Sequence, residues 1–523
     1  MTLSHLGKSA TLPVSVYSTL SQREGRPLSW APSADTVAGE GIKTSLHMYR
    51  EHTALDPGQA IHELAAIVGA SNVLSSRAEC TVYGYDASVF RGAALLAVVL
   101  PETAQQIARL VTWCQRHQVP YLARGTGTGI SGAAIPTHGG LVIEMARMNR
   151  VLEIDLENGA AVVEPGVINQ DLKQLLLEHG YTYTYVPDPG SQVVSTIGGN
   201  VATNAGGMHC LKYGITSNHI LGLEVVLPNG DIIEVGGKVV DQPGADLTGL
   251  LVGAEGTLGI VTKIIVRLLR LPEAVVTQLA LFKTVDDAAN TVSDIIGAGL
   301  LPAALELLDK AIMQAVDQAV HIGYPAEAGA ALIIELDGLQ EDMPRSQEMV
   351  AAFCREHAVL SIETAESAEA AARLWLSRRA AFGAMARLGS HCYIVDGCVP
   401  RTTLPEALRR VMAIGERYGL HIANLAHAGD GNLHPSIPFN KRDPRETALV
   451  LQAGRDILAV CVELGGTITG EHGVGMEKQN DMPLMFSATD LEVMRRIKLA
   501  HDPTDLCNPK KIFPLSMLTD TAS

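Results

Sequence analysis

At 523 residues the chain far exceeds the roughly 40 below which disulfides or metals usually prop up a fold, and it has room for two large domains or several smaller ones. With 47% hydrophobic residues, 18% charged residues and 50 glycines, it has the composition of a globular, enzyme-sized protein and not of a fibrous or disordered one. Its 40 Lys and Arg against 56 Asp and Glu leave a formal charge of -16, which excludes the basic footprint of a nucleic-acid binder.

Residues 1–54 are rich in Ser, Thr and Pro, carry no apolar stretch of the secretory type, and read as a loosely ordered extension. From Ile61 short β runs alternate with helical patterns. Ala93 to Pro101 is apolar throughout and predicts a buried strand. Thr103 to His117 predicts a helix with Ile107, Leu110, Val111 and Cys114 on one stripe. Short strands follow at Tyr121 to Ala123, Leu141 to Met145, Val151 to Asp155 and Ala160 to Glu164, then a helix near Asn169 to His179. From Val186 to Gly214 glycine or proline recurs at nearly every third position with little helix or strand period, a composition that serves a site. Ile220 to Leu227 and Ile232 to Val235 read as strands joined at Asn229-Gly230, the signal of a type I′ hairpin.

A second grammar begins after about Arg270. Strands at Val275 to Phe282, Ala303 to Leu308 and Ala330 to Asp337 alternate with helices at Val285 to Ala298, Lys310 to Val320 and Pro344 to Ala358. Ser390 to Val399, Leu404 to Tyr418 and His421 to His427 extend the pattern. The expectation is an α+β domain, an antiparallel sheet covered by helices on one face. The tail from about Asp456 reads helical, then Gly-rich, then helical again. No run of about 18 apolar residues predicts a membrane span. Eight scattered cysteines without a CxxC spacing exclude a disulfide scaffold and point away from a cluster held by this chain, and a cytoplasmic address fits them best.

Three stretches carry chemistry. Arg124 to Gly132 reads RGTGTGISG and formally satisfies GxGxxG through Gly127, Gly129 and Gly132. The dinucleotide fingerprint needs a helix to open there, and Pro136 with Gly139-Gly140 leaves no room for one. What remains is a loop whose backbone N–H groups can converge on an anion, with Thr126, Thr128 and Ser131 adding hydroxyls and Arg124 a charge. With Val186 to Gly214 and Gly253 to Thr262 it suggests one extended ligand of dinucleotide size.

The second signal is HAGDGNLHP (His427 to Pro435) with GGTITGEHGVG (Gly465 to Gly475). His427 and His434 are brought together by the Asp-Gly turn, and Glu471 completes a three-ligand site of the kind that holds a divalent ion with open positions. Gly470, Gly473 and Gly475 allow the bend that lets Glu471 and His472 serve one site. His472 is then left as a general base, Asn432 can donate to a substrate, and Asp430 more naturally stabilises its own turn. Of Arg378 and Arg379, adjacent on a helix and about 100° apart, at most one faces the site, where it suits a substrate carboxylate.

RGTGTGISG, PDPGS…STIGGN, NAGG…YG, GAEGTLGIVT, HAGDGNLHP and TGEHGVG in this order resemble the FAD-linked oxidases of the vanillyl-alcohol-oxidase/p-cresol-methylhydroxylase type. The similarity is greatest to the branch containing the glycolate oxidase flavin subunit, D-lactate dehydrogenase and D-2-hydroxyglutarate dehydrogenase. It implies an α+β fold: an FAD-binding domain of two subdomains at 55–270, a cap domain at 271–455, and a segment at 456–523 returning to the flavin. By the same resemblance Arg124, Gly125, Thr126, Gly127, Thr128, Gly129, Ser131 and Gly132 hold the pyrophosphate. Pro187, Asp188, Gly190, Ser191, Gly198, Gly199, Asn200, Asn204, Ala205, Gly206, Gly207, Glu255, Gly256, Gly259, Ile260 and Val261 line the flavin, and Asn508 approaches its ring. His427, His434 and Glu471 become ligands of a divalent metal (Zn, Mn, Fe or Co), His472 the base and Arg378 the carboxylate anchor. No histidine lies in the Arg124–Gly132 loop, so FAD is expected to be non-covalent.

The implied activity is oxidation of a short D-2-hydroxy acid to its 2-keto acid with hydride transfer to flavin N5. A lysine found in some 2-hydroxyglutarate enzymes has no match around Cys392 to Val395, which favours glycolate or D-lactate. The electron acceptor is expected to be an iron–sulfur partner subunit, a quinone or a carrier protein, with any membrane association peripheral and through partners. The alternatives are a stand-alone D-lactate or D-2-hydroxyglutarate dehydrogenase, or a non-catalytic flavin-binding assembly subunit.

Overall fold

Two small sheets form side by side in the first half of the chain, and their pairing differs in kind. The computed structural model describes residues 55–239 and 243–518, so the extension expected at 1–54 lies outside the described residues. Leu95–Val99, Gly140–Glu144 and Tyr121–Arg124 pair in parallel, with Val73–Leu74 antiparallel at the far edge. Parallel pairing requires a crossover, and the Ala104–His117 helix provides it. Thr103 caps that helix by accepting from the Gln106 N–H, and Ile107, Leu110, Val111 and Cys114 are its buried stripe. The second sheet is antiparallel, in the order Val151–Asp155, Ala160–Val163, Ile260–Arg267, Ile220–Val226, Ile232–Gly236.

Two local expectations need correction here. The Asn229-Gly230 connection is not a type I′ turn, because Asn229 does not take the positive φ that type requires. Pro228 precedes it and fixes its own φ, Gly230 alone is left-handed at φ 90, and Gly230 N–H donates to the Leu227 carbonyl. The glycine-rich stretch also contains more helix than its composition suggests, at Ile197–Thr203 and Cys210–Tyr213.

The second half is built on an antiparallel sheet of eight strands. Its order is Val359–Thr364, Ala274–Phe282, Ala330–Gly338, Ala304–Asp309, Ala423–His427, Asn432–Phe439, His391–Ile394, with Gly397–Cys398 also on Asn432–Phe439. Both faces are covered, not one. Ala280, Phe282, Leu332 and Ile334 pack beneath the helices Val285–Gly297, Met343–Glu356, Leu404–Tyr418 and Pro444–Glu463. Leu279, Leu281, Ala331 and Ile333 pack against Lys310–Val320 and Ala368–Met385 on the other side. Unbroken apolar runs such as LALF are the signature of a strand buried on both faces. The helix Pro444–Glu463 runs through the expected 455/456 boundary, so no break exists there.

The chain then returns. Residues 464–478 form a loop against the cap sheet, and beyond the Ala488–His501 helix the backbone reaches the open edge of the parallel sheet. Tyr121 N–H donates to the Leu506 carbonyl and Asn508 N–H to the Tyr121 carbonyl. Lys498, buried, donates to the carbonyls of Thr257 and Cys507 and pairs with Asp502, fixing this closure.

Ile333 and Ile334 are both fully buried on opposite faces of one strand. Ile333→Ala and Ile334→Ala are each expected to lower stability by about 2–5 kcal/mol in denaturant unfolding; a near-neutral result at either would mean that its face is open.

Candidate active site

One cavity of about 780 Å³ receives all three glycine-rich stretches on one side and the cap sheet on the other. Arg124–Gly129, Gly190, Ser191, Gly198–Asn200, Ala205, Glu255, Gly256 and Gly259–Val261 line it. No helix follows Gly132. The glycines divide into two kinds. A Cβ at Gly127 would strike the Arg124 guanidinium at 2.0 Å, and one at Gly198 would meet Pro165 at 2.5 Å, so these exist for packing. A Cβ at Gly129 or Gly190 would meet nothing within 4 Å, so these two leave the cavity wall bare for the backbone to meet a ligand.

Other expected ligand-facing groups are spent elsewhere. The Arg124 guanidinium donates to the carbonyls of Ala134 and Tyr85 and lies 3.9 Å from Glu144. Burial raises Glu144 to about 7 even against that arginine. Ser131, Gly132, Pro187, Asp188, Asn204, Gly206, Gly207 and Asn508 do not line the cavity. The Ser131 hydroxyl donates to the His472 carbonyl, and the Asn508 amide donates to the carbonyls of Ala133 and Glu255. Asn204 is the left-handed C-cap of Ile197–Thr203. These residues brace the walls of the cavity.

At the cap end, the strands Ala423–His427 and Asn432–Phe439 pair so that Leu425 lies opposite His434, and Leu425 and His427 share a face. His427 Nε2 and His434 Nε2 stand 3.2 and 3.0 Å from the same oxygen of Glu471, and the three ligand atoms fall within 4.8 Å of one another. Behind His427, Glu306 accepts at its Nδ1 at 2.5 Å and also receives Arg378. Burial would lower His427, but Glu306 and Glu471 outweigh it and raise it. Burial would likewise raise Glu471, and the two histidines hold it well below the usual carboxylate range. Two imidazoles and a carboxylate converging this closely, one ring fixed by a carboxylate behind it, suit a divalent cation.

Asp396, His434 and His472 form a second triad within the same spacing. Asp396 is already saturated, however. It accepts from the N–H groups of Glu471 and His472, the Thr469 hydroxyl and Lys478; burial would raise it, but His472 first and then Lys478 outweigh that and hold it below its ordinary range. Its role is to carry the loop. His472 stacks on His434 at 5.1 Å, and burial lowers it to about 4 although Asp396 pulls the other way, so the ring is neutral. Arg378 reaches Glu306 and stands 3.5 Å from His427, whereas Arg379 donates to the Ala372 carbonyl. Asn432 does not line the cavity; it packs against Gly470, and Asp430 accepts the Asn432 N–H within its own turn.

Glu306 and Asp396 escaped the sequence reading. Each was signalled by a carboxylate inside an apolar run, ALELLD and CYIVDG, where a charge survives only if paired.

The chain as a whole is similar to known proteins. Residues 95–236 match the FAD binding domain family, and 271–512 match the family described as FAD linked oxidases, C-terminal domain. The glycolate oxidase subunit GlcD of Bacillus subtilis (strain 168) is 43% identical over 86% of this chain and 96% of its own length. The chain belongs to the FAD-linked oxidases. A D-lactate dehydrogenase of Archaeoglobus fulgidus is 32% identical over 81% of this chain and 92% of its own. The same fold occurs in p-cresol methylhydroxylase with substrate bound, at a TM-score of 0.74 and 19% identity over 88% of this chain and 97% of that one. The match to the FAD binding domain spans residues 95–236, which include the cavity's two bare glycines, Gly129 and Gly190.

Gly129→Leu and Gly190→Leu are expected to leave the apo chain's thermal midpoint unchanged while weakening FAD retention about tenfold or more. Gly127→Ala should instead lower the midpoint, because it displaces Arg124. Equal midpoints and equal flavin content across all three would overturn the division.

Proposed function

We propose that this FAD-linked oxidase converts a short D-2-hydroxy acid, glycolate or D-lactate, to the corresponding 2-keto acid. The observation that carries the reading is the meeting of Arg378, His472 and the His427–His434–Glu471 cluster at one end of a cavity otherwise lined by the FAD-binding loops. The names of the relatives, a glycolate oxidase subunit and D-lactate dehydrogenases, support the substrate class.

The oxidation removes one hydroxyl proton and one hydride. Bound FAD supplies the hydride acceptor, and a divalent ion on His427, His434 and Glu471 supplies Lewis acidity toward the hydroxyl. Arg378, fixed through Glu306, binds the substrate carboxylate. His472, neutral and oriented by the loop that Asp396 carries, takes the hydroxyl proton. The cap-side wall beyond these groups is formed by Ile312, Ile394 and Leu425. Arg379 also lines this end but donates to the Ala372 carbonyl, so Arg378, held on Glu306 beside His427, is the better placed of the two to anchor a single substrate carboxylate. Nothing in the Arg124–Gly129 loop offers a tethering side chain, which supports non-covalent FAD. Electrons leave to a partner subunit, a quinone or a carrier protein. No helix among the described residues is long and apolar enough to cross a membrane.

Anaerobic addition of D-lactate, glycolate and D-2-hydroxyglutarate to the purified holoenzyme tests the reading. One of the first two is expected to bleach the flavin band and yield one equivalent of keto acid. Bleaching by D-2-hydroxyglutarate alone, or by none, would overturn it.

The cluster makes a separate prediction. His427→Ala is expected to lose bound metal by elemental analysis and to cut kcat about a thousandfold, several kcal/mol of lost activation. Glu306→Gln should weaken metal affinity about tenfold to a hundredfold. Full turnover in His427→Ala would exclude the metal.

A further inference from the structure

Away from the cluster just described, one histidine bridges the two halves of the molecule. His209 Nδ1 lies 2.7 Å from Asp188, and its Nε2 lies 2.8 Å from Glu335. Two carboxylates facing one ring need two N–H donors, and only the protonated imidazole has both. Burial alone would lower the ring; Asp188 first and then Glu335 outweigh it and raise it to about 10.

What the two carboxylates belong to gives the contact its meaning. Asp188 sits in the stretch whose next residues, Pro189, Gly190 and Ser191, line the cofactor end of the cavity. Glu335 is on the cap strand Ala330–Gly338, and its other oxygen accepts the Trp375 indole N–H at 2.8 Å and the Thr277 hydroxyl at 3.3 Å. Trp375 lies on the helix Ala368–Met385, three residues before Arg378, with its ring 6.2 Å from that of His209. Lys212 and Tyr213, just beyond His209, both bond Asp337 on the same strand, so the segment is pinned twice. An unbroken polar path therefore leads from the cofactor loop through His209, Glu335 and Trp375 to the helix that carries Arg378.

We propose that His209 is a positioning residue linking the cofactor loop to the Arg378 helix, so that FAD and a substrate carboxylate strengthen each other's binding. The inference rests on the assignment of Arg378 as carboxylate anchor. Linkage makes the effect reciprocal: the factor by which the carboxylate tightens FAD is the factor by which FAD tightens the carboxylate.

The test uses the holoenzyme with pyruvate as the keto-acid probe, following flavin release by fluorescence with and without it. Pyruvate is expected to tighten FAD about fivefold or more in the natural protein, within the usual range of such effects. His209→Gln should abolish that effect and raise KM for the hydroxy acid by a similar factor while kcat changes less than about twofold. Trp375→Phe, which removes one contact at the far end, should do the same, and the double variant should be no worse than either. His209→Arg, a cation that can reach two carboxylates, should restore part of the effect.

A pyruvate effect that survives His209→Gln, or single effects that merely add, would overturn the proposal. A loss confined to thermal stability would overturn it too. Arg378→Lys is measured alongside. An unchanged KM there would refute the anchor assignment, while the linkage itself is decided by the pyruvate arm alone.

Discussion

The loop from Thr469 to Gly475 hangs between two buried carboxylates, and the rest of the site depends on that suspension. A buried carboxylate without donors costs several kcal/mol, so each must be surrounded by N–H and O–H groups. Asp396, from the cap sheet, takes the N–H groups of Glu471 and His472. Glu255, from the FAD-binding half, takes those of Val474 and Gly475. Between them, Ser131 holds the His472 carbonyl and Lys478 the Gly473 carbonyl. The loop has no regular secondary structure, yet its polar groups are held from both halves of the molecule. That is what places Glu471 against two histidines of a sheet it does not belong to.

The same economy explains why several residues expected at the cofactor have structural partners in the protein itself. Arg124, Ser131, Asn508 and Asn432 were all picked out in the sequence, and all bond backbone carbonyls or serve packing. The motif marks the neighbourhood of the site, but membership in it does not say which way a side chain faces. Cavity-facing glycines such as Gly129 leave bare backbone at the wall, because a side chain there would meet no protein atom.

The sequence made most elements legible. The helices at 104–117 and 310–320 and the strands at 151–155 and 330–338 follow from apolar period and cap chemistry, which act within a few residues. The metal-type cluster was legible for a similar reason: His427 and His434 are joined by one local turn, and glycines announced the bend at Glu471. What stayed hidden acts over long range. Helix placement on both faces of the cap sheet, the Glu306 support behind His427, and the His209 bridge to Glu335, 126 residues away, have no local signature beyond an isolated charge in an apolar run. The Asn229-Gly230 turn shows the converse, a local signal overruled by its neighbour Pro228.

The return of the C-terminal segment carries a consequence for how the molecule comes into being. Asn508 meets Ala133 across 375 residues of chain, and Lys511 meets Ile135 across 376. Until those residues have been synthesised, the Tyr121–Arg124 strand presents an open sheet edge and the walls beside Gly256 lack their backing. The cofactor half, although encoded first, cannot finish folding first. During synthesis the nascent chain carries a sticky, unclosed nucleotide fold for most of its length, so its yield in the cell depends on keeping that edge from other chains until the last few dozen residues emerge.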